Sequence, residues 1–357
     1  DALRLDAVHE IIDRNAITFL SELAHRTSEL ADELGSPCHL IAESADNDPR
    51  IVTAWAAGGF GLDAQWNDDF HHALHTALTG EDFGYYVDYG SADDLARAMD
   101  AGFVFQGEYS RFRRRRYGGP SMSLEPERFV VFAQNHDHIG NRPDSGRLVS
   151  LVSQRQAHLV AALVILAPGI PLLFMGEEYG ERAPFPYFID HGDPELIEAV
   201  RAGRAAEFAS LAEKGQLFDP AAESSFAAAR IDRTLRDKDE HRVLYELYRK
   251  LIALRRANPA LRRSERGAAH AKATDGVLTL LRAHLEDTVV GVFNLTDKQA
   301  AAALPRAPGH SGAGRWSNLL EPETAVLDQG QTVDLAPWGF AVYHLSQDND
   351  GVKGNPR

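Results

Sequence analysis

Short apolar segments that each end in a carboxylic acid recur along the first part of this 357-residue chain, separated by stretches with helical spacing. The segments "LRLD", "CHLIAE" and "RFVVFAQNHD" place Asp6, Glu43 and Asp137 at the ends of three predicted strands. Near-continuous apolar strands are typical of parallel sheets that are covered on both faces. Strand and helix units that alternate in this way predict an α/β fold with a parallel sheet or a (β/α) barrel.

Further segments of the chain continue the alternation of predicted strands and helices. The periodicity predicts further strands in "LDAQW" and "IPLLFMGEE", and helices over 11–34, in "RQAHLVAALVILAPG", from Asp193 to about Leu211 and in "HRVLYELYRKLIALRRANP". Short alternating strands then predict a small all-β domain at 262–347, followed by a polar tail at 348–357. We therefore expect an α/β domain at 1–261 and a β domain after it.

The composition excludes several classes of partner. A formal net charge of −15 would repel nucleic acids and anionic membranes. The longest apolar run, 159–166, is too short for a membrane span of roughly 20 residues. A single cysteine, Cys38, excludes an internal disulfide and favours a reducing, cytoplasmic location.

The three acids at strand ends carry the functional signal. The carboxyl ends of parallel barrel strands lie on one face, so acids from different strands share a pocket. Arg4 lies two residues before Asp6, on the same face of the strand, where it can hold that carboxylate ionised. One acid at a strand end is usually a helix cap or a surface residue. Three such acids instead favour glycoside cleavage, which requires two carboxylic groups in different protonation states.

The segments "LRLDAVH", "LIAE" and "QNHD" resemble, in order, three of the four signature regions of the α-amylase family of glycoside hydrolases. The resemblance implies a (β/α)8 TIM barrel, with strands 4–8 on this chain, followed by a C-terminal all-β sandwich domain. It also implies a retaining hydrolase that needs no cofactor.

The same resemblance assigns roles to individual residues. It implies that Asp6 is the nucleophile, Glu43 the general acid and base, and Asp137 the third acid, which binds sugar hydroxyls. Arg4 matches the arginine that orients the nucleophile, and His136 matches a hydroxyl-binding histidine.

Longer loops resemble one subfamily. These loops are "LIAESADNDPRIV", "AQWNDDFHHALHTALTGE" and "APFPYFIDHGDPELIEAVRAGRAAEF". The subfamily cleaves the α-1,4 bond next to the terminal trehalose of malto-oligosyl trehalose and releases trehalose. Glycogen branching enzymes and other transglycosylases or amylases of the family are the alternative. A non-catalytic carbohydrate-binding barrel is the rival outside the class, and the loss of an acid would indicate it.

The family's first signature region, with its strand 3, has no counterpart here, and Asp1 resembles the middle of strand 4. We therefore expect an N-terminal portion of the same enzyme to be a partner that completes the barrel with its missing strands.

Several further residues are candidates for sugar binding. In "QWNDDFHHALH" we expect Trp66 to stack on a sugar ring and Asp69 to bind hydroxyls, whereas a metal site at His71 and His75 lacks a third ligand. Asp46 in "ESADNDP" fits a hydroxyl contact or a turn cap equally, and the calcium-loop pattern is missing.

The last candidates lie on other loops. We expect His9 on the leaving-group side of the cleft and Asp190 in the loop that recognises trehalose. The basic run 111–116 fits a solvated or substrate-lining loop better than a phosphate site, because the chain is acidic overall. No metal is expected.

Overall fold

The computed structural model describes residues 1–209, 217–263, 265–306, 314–321, 323–324 and 326–346. These residues form two compact units. The first combines the described parts of Asp1–Val131, Ala162–Pro171 and Leu251–Arg357, and the second combines those of Phe132–Ala161 and Leu172–Lys250. The predicted tail at 348–357 and the predicted helix end near 211 lie outside the described residues.

A parallel sheet organises the first unit. The strands up to residue 171 are β1 (Ala2–Leu5), β2 (His39–Ala42), β3 (Ala64–Trp66), β4 (Tyr109–Ser110), β5 (Arg115–Arg116), β6 (Phe129–Val131) and β7 (Ile170–Pro171). The described sheet has the order β1-β2-β3-β6-β7, and each strand pairs in parallel with the next. Strands β4 and β5 form a separate antiparallel hairpin. The predicted α/β fold with a parallel sheet is confirmed.

Helices connect the strands of this sheet. They are α1 (Phe19–Leu34), α2 (Asp68–Thr79) and α3 (Ala92–Ala101). The side chains of Thr18, Asn67 and Ser91 cap their N-termini by accepting backbone N–H groups that have no partner inside the helix. Gly35 and Gly80 end α1 and α2 with left-handed backbone, which glycine adopts without steric cost.

Three predicted boundaries are wrong, and the simplest case is β7, which stops at Pro171 and does not extend through "IPLLFMGEE". Helix α1 begins at Phe19 and not near residue 11, because the Asp13 carboxylate accepts the N–H groups of Asn15 and Phe19 and turns the chain before the Thr18 cap. The strand predicted to end at Asp137 stops at Val131, and Asp137 lies in the first turn of a short helix. The polar side chain of Asn135, after the apolar run, accepts the backbone N–H groups of Asp137 and His138. These hydrogen bonds take the place of strand pairing.

Helices are the main described elements between residues 132 and 262, of which 132–161 and 172–250 belong to the second unit. The helices from residue 136 to residue 262 are α4 (His136–Gly140), α5 (Gln154–Leu166), α6 (Pro194–Glu207), α7 (Glu223–Ala228), α8 (Asp239–Ala257) and α9 (Pro259–Arg262). Asp193 caps α6, with Pro194 in its first turn, so the helix begins where it was predicted to begin. Among the described residues, no helix is both long and apolar enough to cross a membrane.

A C-terminal β-sheet region follows α9, as predicted. Its strands are β8 (Ala269–Thr274), β9 (Val277–His284), β10 (Asp287–Asn294), β11 (Ala300–Ala303), β12 (Arg315–Asn318), β13 (Leu327–Asp328), β14 (Thr332–Leu335) and β15 (Phe340–Ser346). Six of them form a sheet in the order β13-β12-β15-β10-β9-β8, and β11 pairs with β14. Both sheets contribute to one apolar core around the fully buried Trp316, so the burial of apolar surface holds them together.

Candidate active site

The register of β1 and β2 brings two of the predicted acids side by side. Leu5 at the end of β1 pairs with Ala42 at the end of β2. Asp6 follows β1 directly, and Glu43 follows β2 directly. The Glu43 N–H donates to the Leu5 carbonyl at 2.8 Å, so the ladder continues to the acids. Because the strands are parallel, both side chains emerge at the same edge of the sheet.

Arg4 contacts both of these acids. Its Nη1 donates to the Asp6 Oδ1 at 2.5 Å, and its Nη2 lies 3.7 Å from the Glu43 Oε2. The two carboxylates differ in environment, since the Asp6 side chain is 78% exposed and the Glu43 side chain 17%. The sequence predicted the pairing of Arg4 with Asp6, whereas the second contact, to Glu43, follows from the strand register.

A left-handed turn follows Asp6. Ala7 has φ 44° and ψ 48°, a conformation that is uncommon for a residue other than glycine. The turn directs the Ala7 N–H to the Glu43 Oε2 at 2.7 Å, and the Val8 N–H donates to the Glu43 carbonyl at 3.1 Å. The strained residue therefore holds the Glu43 side chain in place. Sequence reasoning missed Ala7, because alanine carries no signal of positive φ.

A polar cavity of about 180 Å³ lies beside the loops that follow β1 and β2. His9 and Asp46 line it, and the His9 Nδ1 accepts the Ala45 N–H at 3.4 Å. The Asp46 Oδ1 accepts a hydrogen bond of 3.1 Å from the Arg115 Nη2, on the hairpin of β4 and β5. An arginine of the basic run 111–116 thus forms an ion pair with the loop after Glu43. The sequence pattern did not predict this ion pair.

Trp66 and Asp69 are placed differently from what the sequence predicted. Trp66 is 8% exposed, and the Arg4 guanidinium carbon lies 4.4 Å from its ring centroid, so this ring supports the arginine. Asp69 is 1% exposed. Its carboxylate accepts hydrogen bonds from the Asn47 amide, the Tyr89 hydroxyl and the N–H groups of Val104 and Phe105.

The expectation that Asp69 binds sugar hydroxyls is therefore corrected, because its oxygens are buried and already bonded inside the protein. Burial raises the pKa of the Asp69 carboxyl, and these hydrogen bonds oppose that shift. The histidines of α2 are buried as well: His71 bonds to Tyr86 at 3.0 Å, and His75 bonds to Glu81 at 2.7 Å.

The third acid and its neighbour lie in the second unit. His136 and Asp137 are exposed in the first turn of α4, where the Asn135 side chain accepts the Asp137 N–H at 3.0 Å. The Asp137 Oδ1 accepts a hydrogen bond of 2.8 Å from the Asn141 side chain.

The exposed acid borders a cavity. Both His136 and Asp137 line this cavity of about 160 Å³, together with the aromatic loop 185–188. Asp190 is exposed just after that loop. Asn141 was not predicted, although its spacing of four residues from Asp137 is that of neighbours on a helix.

Glu177 is buried, in contrast to the exposed Asp137. Its carboxylate accepts hydrogen bonds from the Tyr248 hydroxyl at 3.0 Å and from the Gln134 side chain at 3.3 Å. Burial raises the pKa of the Glu177 carboxyl to about 7. These contacts anchor the turn after β7.

Comparison with solved structures indicates the class of protein that the chain resembles. A putative α-amylase from Salmonella typhimurium matches 97% of this chain and 57% of its own, with a TM-score of 0.80 and 32% identity. An α-amylase from Geobacillus thermoleovorans matches 98% of this chain and 60% of its own, with a TM-score of 0.58 and 16% identity, which shows the fold alone. No family model matches the chain. The solved structures that the chain resembles are α-amylase-family enzymes with a TIM barrel.

Within this family the chain is similar to malto-oligosyltrehalose trehalohydrolases. The enzyme of Arthrobacter ramosus is 46% identical over 264 residues, which are 72% of this chain and 45% of that protein. The enzyme of Rhizobium sp. is 37% identical over 345 residues, which are 96% of this chain and 56% of that protein. The chain thus spans about half the length of these relatives.

Proposed function

We propose that this chain forms the catalytic part of a retaining glycoside hydrolase. The enzyme cleaves the α-1,4 bond next to the terminal trehalose of malto-oligosyl trehalose and releases trehalose. The observation that carries the proposal is the contact of Arg4 with both Asp6 and Glu43. The names of the similar proteins support the choice of substrate.

In the proposed mechanism, Glu43 donates its proton to the glycosidic oxygen while Asp6 attacks the anomeric carbon. Trehalose leaves, and the remaining sugar stays bound to Asp6 as a glycosyl ester. Ionised Glu43 then accepts a proton from water, which attacks the same carbon and frees the carboxylate. Two inversions give net retention, and the mechanism requires the two carboxyl groups to lie roughly 5–5.5 Å apart.

The remaining candidates bind and orient the substrate. Arg4 keeps the Asp6 carboxylate directed at the sugar and rests on Trp66, which we assign to this supporting role. His9 and Asp46 line the cavity of about 180 Å³ at the loops that follow the two acids. In this proposal they bind the leaving trehalose. In the second unit, Asp137, His136 and Asp190 bind hydroxyls of the sugar.

We further propose that β1, β2, β3, β6 and β7 are strands 4–8 of the barrel, within a catalytic domain at 1–261. An N-terminal portion of the same enzyme is the partner that supplies the other strands. Two observations support this: β1 and β7 end the described sheet, and the chain matches only about half the length of the similar proteins. The single cysteine, Cys38, supports a reducing cytoplasm as the location.

Product analysis tests this function. The complete enzyme is incubated with maltotriosyl trehalose and, separately, with maltopentaose, and the products are separated by chromatography. We expect trehalose and maltotriose from the first substrate, at a far higher rate than any cleavage of the second. The Asp6→Asn variant is the control for contaminating activity. Equal rates on both substrates would indicate a general amylase, and new α-1,6 branches a branching enzyme; either result would overturn the proposal.

A further inference from the structure

Arg204 of α6 makes two hydrogen bonds to the C-terminal end of α4. Its Nη1 donates to the Asn141 Oδ1 at 2.6 Å, and its Nη2 donates to the Gly140 carbonyl at 2.7 Å. The arginine side chain is 19% exposed and also lies 3.5 Å from Glu207 on its own helix. A guanidinium that bonds two acceptors with separate nitrogens fixes their relative orientation, which a lysine amine cannot reproduce.

The first of these bonds continues to Asp137. The Asn141 oxygen accepts from Arg204, so the amide nitrogen must face the other way, and it donates to the Asp137 Oδ1 at 2.8 Å. The Asn141 backbone N–H also donates to the Asp137 carbonyl at 2.9 Å. Arg204 therefore holds the Asn141 amide in the orientation that donates to the exposed carboxylate.

The same guanidinium contacts an aromatic side chain of the neighbouring cavity. Its carbon lies 4.9 Å from the ring centroid of Tyr187 and 4.8 Å from that of the buried Phe208. Tyr187 is 44% exposed and lines the cavity of about 160 Å³ that His136 and Asp137 also line. Arg204 thus connects the acid and the aromatic ring of one cavity.

We propose that Arg204 is a positioning residue that orients Asp137 through Asn141 and holds Tyr187 against the bound glucosyl unit. This inference rests on the proposed function, because it takes Asp137 as the acid that binds sugar hydroxyls. An oriented carboxylate strengthens its hydrogen bonds as the transition state forms, which affects kcat. A ring that stacks equally on substrate and transition state affects KM.

A double-mutant cycle in the complete enzyme tests the first part. Arg204→Met and Asn141→Ala are each expected to lower kcat by about tenfold or more, and the double variant by little more than either, because the two residues act in one path. Arg204→Lys is expected to recover only part of this loss. Arg201→Met is the matched control: Arg201 lies on the same helix but pairs with Asp219 and Glu198.

KM tests the second part. Tyr187→Ala is expected to raise KM about tenfold with kcat nearly unchanged, and Arg204→Met to raise KM by a similar factor. A full kcat in Arg204→Met with only a lowered melting temperature would overturn the proposal, as would additive effects in the cycle. If Arg204→Met does not fold, Arg204→Lys replaces it in the same cycle.

A failure of the Arg204 proposal can be told apart from a failure of the proposed function. The cycle can be measured on whichever α-glucan the wild-type enzyme cleaves, whether or not trehalose is a product. A fully active Asp137→Asn variant would show that the role of the acid itself is wrong, and the inference would then fail with it.

Discussion

Asp6 and Glu43 share one arginine but have different surroundings, and substitution separates their roles. Asp6→Asn keeps the shape and removes the nucleophile, so we expect turnover to fall by about a thousandfold or more. Glu43→Gln should abolish cleavage of natural glucans yet retain the first step on a glycosyl fluoride, whose leaving group needs no proton. Steady-state kinetics on both substrates measures this. Near-normal turnover of Asp6→Asn would show that another residue is the nucleophile.

Ala7 provides a second test at the scale of one residue. Its left-handed backbone is free of strain for glycine, and its N–H is bonded to Glu43. We expect Ala7→Gly to leave activity within about twofold, whereas Ala7→Pro, which fixes φ near −65° and has no N–H, should abolish it. Circular dichroism would show whether each variant is folded. An active Ala7→Pro enzyme would contradict the role given to this turn.

Strand periodicity was sufficient to predict that Asp6 and Glu43 lie directly after two strands. The roles of nucleophile and general acid and base come from the family resemblance and stay predictions. The supporting contacts were not predictable in this way. Whether Trp66 contacts a sugar or Arg4 depends on the register of three strands. Asp69 resembled a surface acid in the sequence, and its burial depends on backbone groups that lie more than thirty residues later.

At the scale of elements, Asp69 connects the start of α2 with the segment after α3. Asp69→Ala would leave the N–H groups of Val104 and Phe105 and the Tyr89 hydroxyl without their acceptor. We expect a loss of roughly 3–5 kcal/mol in the free energy of unfolding, measured by urea denaturation. Tyr89→Phe, which removes one donor, is the milder control. A stable Asp69→Ala protein with a raised KM would restore the sugar-binding role.

The buried Glu177 predicts how stability depends on pH. Burial raises its pKa from 4.5 to about 7, so the folded protein binds a proton more tightly than the unfolded chain does. The contribution of Glu177 to the free energy of unfolding is therefore fully present below about pH 4.5. It is lost as the pH rises to about 7, and the loss is roughly 3 kcal/mol in total. Urea denaturation across this range should show the decline in the wild type and its absence in Glu177→Gln. Parallel pH profiles would contradict the assignment.

The types of elements were predicted better than their ends. The order of the predicted strands and helices follows from apolar periodicity. The start of α1 was misplaced because an aspartate, Asp13, bonds to the backbone of a segment whose apolar spacing is helical. The end of β6 was misplaced because the polar Asn135 bonds to the backbone after the apolar run and begins a helix there.

At the scale of the molecule, one arginine of α8 and one of the C-terminal β-sheet region bind the backbone at the end of α5 and just after it. Arg255 donates to the carbonyl oxygens of Ile165, Ala167 and Gly169 at 2.6–2.8 Å, and Arg282 of β9 donates to those of Leu166 and Ala167 at 3.0 Å. Carbonyls at a helix C-terminus have no partner within the helix, so these bonds satisfy them. The pairs are 86 to 116 residues apart in sequence, and no local pattern predicts them.

Covalent labelling tests most directly the central claim that Asp6 carries the sugar between two displacements. The complete enzyme with Glu43→Gln is incubated with an α-malto-oligosyl fluoride, digested with a protease and examined by mass spectrometry. We predict that the sugar is attached to Asp6, and that the label is lost when Asp6→Asn is added. A sugar attached to another acid, such as Asp137, or consumption of the fluoride with inverted product and no labelled Asp6, would contradict this mechanism.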